Sequence, residues 1–304
     1  MNKMTTAELR GYQQICGKNV AIMVIACDQR GGIRTLLASD PAEQKKITDA
    51  MLGDTKSDAV RYLAAEAPSV LLDPICAVPR VVEEASLARD VALLISLDAS
   101  GYDTDAQGHY LSRLVPGVNA RRVRELGGTG GKLMVYLRSD EATGNEPSIQ
   151  IIKDCVADFA ADNLFLVVEF LTYKMPGESD ADYKAKFPSL IEGGSRICLD
   201  LGSKVLKIPY PGTPASRARI TKMAGSVPWS VLSAGVDHAT FIGQVETAMA
   251  NGASGVIAGR SLWKDCVSLD RAKQKELLLT RALPRLQEIQ AILARYPQRL
   301  AQAA

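Results

Sequence analysis

Lys207 sits in the run Gly202-Ser203-Lys204-Val205-Leu206-Lys207-Ile208-Pro209-Tyr210-Pro211-Gly212, a short apolar stretch halted by two prolines and a glycine. Read as a strand, it turns Val205 and Lys207 to one face and Leu206 and Ile208 to the other. An amine that shares its face with Val205 is costly to keep charged, and a neutral lysine amine attacks carbonyl carbon. Taken alone, a strand-end lysine ordinarily reaches solvent, so the reactive reading needs partners. The ends of other apolar runs offer them: Asp28-Gln29-Arg30, Asp73, Asp98, Arg138-Ser139-Asp140 and Glu169. Two further run ends, Leu232-Ser233-Ala234-Gly235 and Val256-Ile257-Ala258-Gly259-Arg260, are built of small residues. Such residues let backbone N–H groups approach an anion, a following helix start adds its positive end, and Arg260 adds a charge-assisted contact. Either loop alone reads equally well as a tight turn. Two at consecutive run ends, one with an arginine, point to a phosphate or a comparable anion such as a sulfonate.

The elements that must position these residues alternate along the chain. Strands are expected at Val20 to Cys27, Ser69 to Leu72, Val91 to Leu97, Lys132 to Leu137, Leu164 to Val168, around Lys207, Trp229 to Leu232, and Gly255 to Ala258. Helical pattern fills the gaps, notably from about 41 to 66, with Pro41 placed to start it, and from 149 to 162. A helical tail covers roughly 271 to 295. Eight strands with helices between them, over 304 residues, is the count for a single (β/α)8 TIM barrel domain spanning 1–304. A doubly wound sheet competes, but no G-x-G-x-x-G follows the first strand. The run Gly127-Gly128-Thr129-Gly130-Gly131 precedes a strand and lacks a G-K-[ST] ending, so it reads as a loop and not as a phosphate cradle. In a barrel, chemistry belongs at the C-terminal strand ends. Parity groups Val24, Ala26 and Asp28; Lys132, Met134 and Tyr136; Val167 and Glu169; and Val205 and Lys207. If each group faces inward, Asp28, Lys132, Glu169 and Lys207 converge on one axis. Taken singly, each charge is as readily a strand cap or an ion pair.

Composition removes other function classes. The chain is 47% hydrophobic with a formal net charge of +2 and 5% aromatics, which offers nothing to a nucleic acid or a membrane surface. No apolar stretch approaches the ~20 residues a span requires, and the first ten residues lack the apolar core of a signal peptide. Six cysteines, Cys16, Cys27, Cys76, Cys155, Cys198 and Cys266, form no C-x-x-C pair and read as reduced thiols of a cytoplasmic protein. The two histidines, His109 and His238, are too far apart in sequence for a ligand motif, so neither a zinc site nor a histidine-based triad is supported.

Six segments in strand order carry a family resemblance: Asp28-Gln29-Arg30-Gly31, Ser100-Gly101-Tyr102-Asp103, Val168-Glu169-Phe170-Leu171-Thr172-Tyr173, Val205-Leu206-Lys207, Leu232-Ser233-Ala234-Gly235-Val236 and Ala258-Gly259-Arg260-Ser261-Leu262-Trp263. Together they resemble the class I tagatose-1,6-bisphosphate aldolases. Arg138-Ser139-Asp140-Glu141 and Gly235-Val236-Asp237 are also similar to the related sulfofructosephosphate aldolases. The resemblance spans about residues 20 to 265. It implies a metal-free, cofactor-free enzyme that reversibly cleaves a ketose 1-phosphate bearing a second anion at carbon 6, giving dihydroxyacetone phosphate and a three-carbon aldehyde. It also implies that Lys207 forms the Schiff base, Glu169 is the acid/base, Lys132 is a second cation near Lys207, and Asp28 holds hydroxyls or relays protons. Ser233, Gly235, Gly259 and Arg260 are implied to hold the phosphate. Gln29, Arg30 and Arg138 are further substrate-binding candidates, and Lys174 is another loop cation able to face the second anion. The chain departs from the family at Pro209, where an acid usually follows the Schiff-base lysine by two positions.

Two other readings share the barrel. One is a sugar-phosphate sensor without catalysis; the other is a lyase or isomerase using a carboxylate-bound Mg2+. The tail residues Leu277, Leu278, Leu279, Leu283, Leu286 and Ile289 could pack on their own barrel or on a second copy of the chain.

Overall fold

Eight apolar runs form strands: β1 Ile22–Cys27, β2 Ser69–Leu72, β3 Ala92–Ser96, β4 Gly130–Tyr136, β5 Phe165–Leu171, β6 Val205–Ile208, β7 Trp229–Leu232 and β8 Gly255–Ala258. In this computed structural model, which describes residues 3–298, they close into a parallel barrel in the order β1-β8-β7-β6-β5-β4-β3-β2. Nearly every strand residue is buried because each strand has a core on both faces. Inside the barrel, Val24, Ala26, Leu94, Val167, Val205 and Ile257 pack together; outside, Ile25, Leu133, Val168, Leu206 and Val231 meet the helices. The inward set is the parity expected from the sequence.

The floor of the barrel was not anticipated. Helix Thr6–Gln14, opened by a capping box between Thr5 and Glu8, closes the N-terminal end. Met4, Tyr12 and Ile15 join the inner core, and Glu8, although buried, takes the Lys204 ammonium at 2.6 Å. Lys204 thus stands at the opposite end of the strand from Lys207.

Two expectations are corrected. The helix expected from 41 to 66 is broken: Pro41–Lys46 ends before Thr48, whose side chain caps a second helix, Asp49–Leu63, and a 3-10 turn Ala64–Glu66 follows. The glycine run is only partly a loop. Gly130 and Gly131 open β4, where a Cβ would lie 2.4 Å from the ring of Phe165 or Phe159, so bulky helix and strand residues occupy the space a side chain would need. Most of the segment after β5 is helical, since Ser179 caps helix Asp180–Asp200. The tail lies on its own barrel, with Leu278, Leu286 and Ile289 fully buried. It runs as Arg271–Leu277, a π turn Leu278–Ala282, and Leu283–Ala294. The wide turn falls just before Pro284, which lacks an N–H and crowds the carbonyl four residues back. Among the described residues no helix is long and apolar enough to cross a membrane.

Candidate active site

Register sets the chemistry at the C-terminal mouth. Glu169 on β5 is paired directly with Lys207 on β6, and Lys132 on β4 is paired with Val167, one inward layer lower. Lys207 Nζ donates to Glu169 Oε2 at 2.9 Å, and the same oxygen lies 3.3 Å from Lys132 Nζ. Lys132 Nζ also lies 2.7 Å from Asp28 Oδ2 and 2.7 Å from Asp98 Oδ1. Asp28, Lys132, Glu169 and Lys207 are therefore brought together, as parity suggested. Asp98, a run-end acid to which the family resemblance gives no role, joins them. The signal was in the sequence, because Leu94, Ser96 and Asp98 share a parity and Ser96 pairs with Lys132.

The two amines differ in company. Burial works against the charge on Lys132, but Asp28, Asp98 and Glu169 together hold it well above the usual lysine range. Burial likewise opposes ionisation of Asp28, yet the ammonium groups of Lys132 and Lys207 prevail and bring it down to about 2. Asp98 goes the other way: burial, with repulsion from Asp28 and Glu169, outweighs the pull of Lys132 and raises it. Lys132 is thus a fixed cation, filling the place where three carboxylates converge. Among the described residues Lys207 is ion-paired with Glu169 alone.

Two adjoining lobes meet at Lys207 and Glu169. The smaller, about 180 Å3, is lined by Leu232, Ser233, Gly235, Gly259 and Arg260. Ser233 Oγ accepts from the Gly259 N–H at 3.3 Å and ties the two small-residue loops together. Gly235 has φ +77°, a conformation that suits glycine, and a Cβ there would press on the Arg260 guanidinium at 3.4 Å. Arg260 is exposed at the rim and forms no ion pair among the described residues. The larger lobe, about 280 Å3, is lined by Asp28, Arg30, Asp98, Ser100, Lys132 and Tyr136. Like Arg260, Gln29 borders both lobes. Its amide donates to Asp28 Oδ1 at 3.0 Å, while its buried Oε1 has no hydrogen-bond partner. Arg30 is also buried; its Nη2 donates to the Asp98 carbonyl at 3.1 Å, and Nη1 has no hydrogen-bond partner.

Arg138 does not join them. Its guanidinium is 1% exposed and is gripped by Asp140 at 2.6 Å and by Glu178 through both Nη atoms at 2.6 Å. It lines neither lobe. Lys174 is paired with Asp180 at 2.7 Å on the surface. Glu178 and Asp180, both after β5, thus take up Arg138 and Lys174, and Asp140 takes the rest of the Arg138 guanidinium. Pro209 is buried immediately past β6.

Comparison with known proteins agrees with the barrel fold and gives the family. Residues 22–265 match the DeoC/LacD family aldolase model. A tagatose 1,6-diphosphate aldolase of Staphylococcus aureus is 26% identical over 291 residues, covering 86% of each chain. Among solved structures, a Schiff base-forming fructose-1,6-bisphosphate aldolase superposes with a TM-score of 0.62 at 18% identity, covering 93% of this chain and 98% of that one. A fructose-bisphosphate aldolase from Slackia heliotrinireducens gives a TM-score of 0.64 at 17% identity, covering 95% and 90%. With eight barrel strands delivering paired lysines and carboxylates to a two-lobed mouth, and a family match running from the first residue of β1 to just past the helix after β8, the chain belongs to the DeoC/LacD family of aldolases.

Proposed function

We propose that this aldolase cleaves a ketose 1-phosphate carrying a second anion at carbon 6, through an imine on Lys207, to dihydroxyacetone phosphate and a three-carbon aldehyde. The observation that carries the reading is the 2.9 Å contact of Lys207 Nζ with Glu169 Oε2 at the junction of the two lobes. Lys207 passes a proton to Glu169 and attacks the C2 carbonyl. The carbinolamine hydroxyl takes that proton back and leaves as water, which gives a protonated imine. Glu169 then removes the proton of the C4 hydroxyl, the C3–C4 bond breaks, and its electron pair moves into the imine as an enamine. Protonation at C3 and hydrolysis release dihydroxyacetone phosphate and free Lys207.

Lys132 serves as a fixed positive charge beside Glu169, and Asp28 holds substrate hydroxyls. Ser233, Gly235, Gly259 and Arg260 take the C1 phosphate in the smaller lobe, with Gln29 at the boundary. Arg30, whose Nη1 has no hydrogen-bond partner and lies 3.8 Å from Asp73 Oδ1, is the cation assigned to the carbon-6 anion on the larger lobe. Arg138 and Lys174 have no part in this reading. Family membership sets aside a non-catalytic sensor, and the carboxylates that a metal-dependent reading requires are turned onto Lys132. The six free thiols suit a reducing cytoplasm.

The test is a comparison of kcat/KM for ketose 1,6-bisphosphates and for the matching 6-sulfonate 1-phosphates. Cleavage of at least one series to dihydroxyacetone phosphate is expected. Negligible rates with both remove this substrate class.

A further inference from the structure

Tyr136 is the last residue of β4 and belongs to the inward parity of Lys132 and Met134. It lines the larger lobe. Its ring is held edge-on to three other tyrosines: Tyr102 at 5.1 Å and 72°, Tyr110 at 5.4 Å and 79°, and Tyr173 at 6.3 Å and 79°. Those three stack on one another, with Tyr110 between Tyr102 at 3.6 Å and Tyr173 at 4.0 Å. The stack joins three strand ends, because Tyr102 and Tyr110 lie in the segment after β3 and Tyr173 follows β5. The Tyr136 backbone N–H is fixed separately, donating to Ser112 Oγ at 2.8 Å. The backbone is therefore anchored and the ring is held against the stack, yet its hydroxyl has no hydrogen-bond partner among the described residues. Burial, with Tyr102 and the carboxylates of Asp98 and Glu169, raises its pKa, so the phenol keeps its proton and remains both donor and acceptor.

A ketose whose C2 is bonded to Lys207 must place its C1 phosphate one carbon away, in the smaller lobe. Its remaining carbons then extend through the larger lobe, past Tyr136. Resting on the proposed cleavage, we infer that Tyr136 is a specificity-determining residue: its clamped phenol hydrogen-bonds the hydroxyl next to the carbonyl of the departing aldehyde half and so selects 2-hydroxylated aldehydes. A site that presents a rigid polar group to one substrate hydroxyl discriminates against analogues lacking it, because the protein group is then left unpaired. The tyrosine stack supplies the rigidity without a charge that would disturb the carboxylates below.

The experiment uses Tyr136→Phe, which keeps the ring and the stack. Exchange of the C3 proton of dihydroxyacetone phosphate with deuterated solvent requires only Lys207, Glu169 and the smaller lobe; cleavage of the full ketose requires both lobes. The variant should lose about 3- to 10-fold in kcat/KM for cleavage, the range for one neutral hydrogen bond, while exchange matches the parent. In the condensation direction, the preference for a 2-hydroxy three-carbon aldehyde phosphate over its 2-deoxy counterpart should fall by the same factor. Unchanged cleavage, an unchanged preference, or equal loss of exchange and cleavage overturns the assignment. A parent enzyme that exchanges no proton into dihydroxyacetone phosphate contradicts the proposed cleavage itself, and the two failures are distinguishable.

Discussion

Lys132 and Lys207 are buried amines that share Glu169 Oε2 and have been given different work by their neighbours. Three carboxylates around Lys132 make its loss expensive. Lys132→Met should leave Asp28 and Asp98 crowded without the ammonium they pair with and cost about 3–5 kcal/mol in urea unfolding; unchanged stability contradicts the geometry. Asp98 permits a test in pH. Its pKa is raised in the folded state by burial and by its acidic neighbours. The folded protein therefore holds that proton more tightly than the unfolded chain, whose Asp value is about 3.9. The stability this confers is complete below the unfolded value and is lost as pH rises through the folded one. Asp98→Asn, which carries no charge to ionise, should consequently shift Tm more favourably at pH 7 than at pH 3.5, and the opposite ordering counts against a raised Asp98. For Arg260, exposed at the rim of the smaller lobe, Arg260→Ala should raise KM for phosphorylated ketoses by an amount equivalent to roughly 1.5–3 kcal/mol. Parent-like binding places the phosphate elsewhere.

At the level of elements, the site depends on how β4 enters the barrel. Gly130 and Gly131 pass under Phe165 and Phe159, and Lys132 is the next residue. Gly130→Ala, with its Cβ 2.4 Å from the Phe165 ring, should cost about 1–3 kcal/mol by overpacking. It should also lower kcat, because any shift of β4 moves Lys132 against three carboxylates. A full loss of stability with kcat intact would show that the strand yields without carrying the site along. The glycines look like a loop in sequence because composition alone cannot say what fills the space beside them. The same limit applies to helix Thr6–Gln14, whose burial depends on a barrel floor formed by residues far along the chain. By contrast, β2, β7 and β8 agree residue for residue with the sequence reading, since short β-rich runs bounded by turn residues leave few alternatives.

For the whole molecule, barrel closure turns a period of two into function. Parity allowed Asp28, Lys132, Glu169 and Lys207 to share an axis, the family resemblance singled them out, and closure placed all four at one mouth. Arg138 could not be judged this way, because its fate depends on Glu178, forty residues on and in a loop. The tyrosine stack was equally hidden, being drawn from three separate strand ends. The central claim is that the closed barrel presents Lys207, and no other amine, to the substrate carbonyl. The most direct measurement is borohydride reduction during turnover, followed by peptide mapping of the adduct. The account expects irreversible inactivation, with the substrate-derived mass on Lys207 and none on Lys132 or Lys204, and loss of trapping and cleavage together in Lys207→Ala. An adduct on Lys132 with Lys207 untouched, or chelator-sensitive cleavage with no adduct at all, would contradict it.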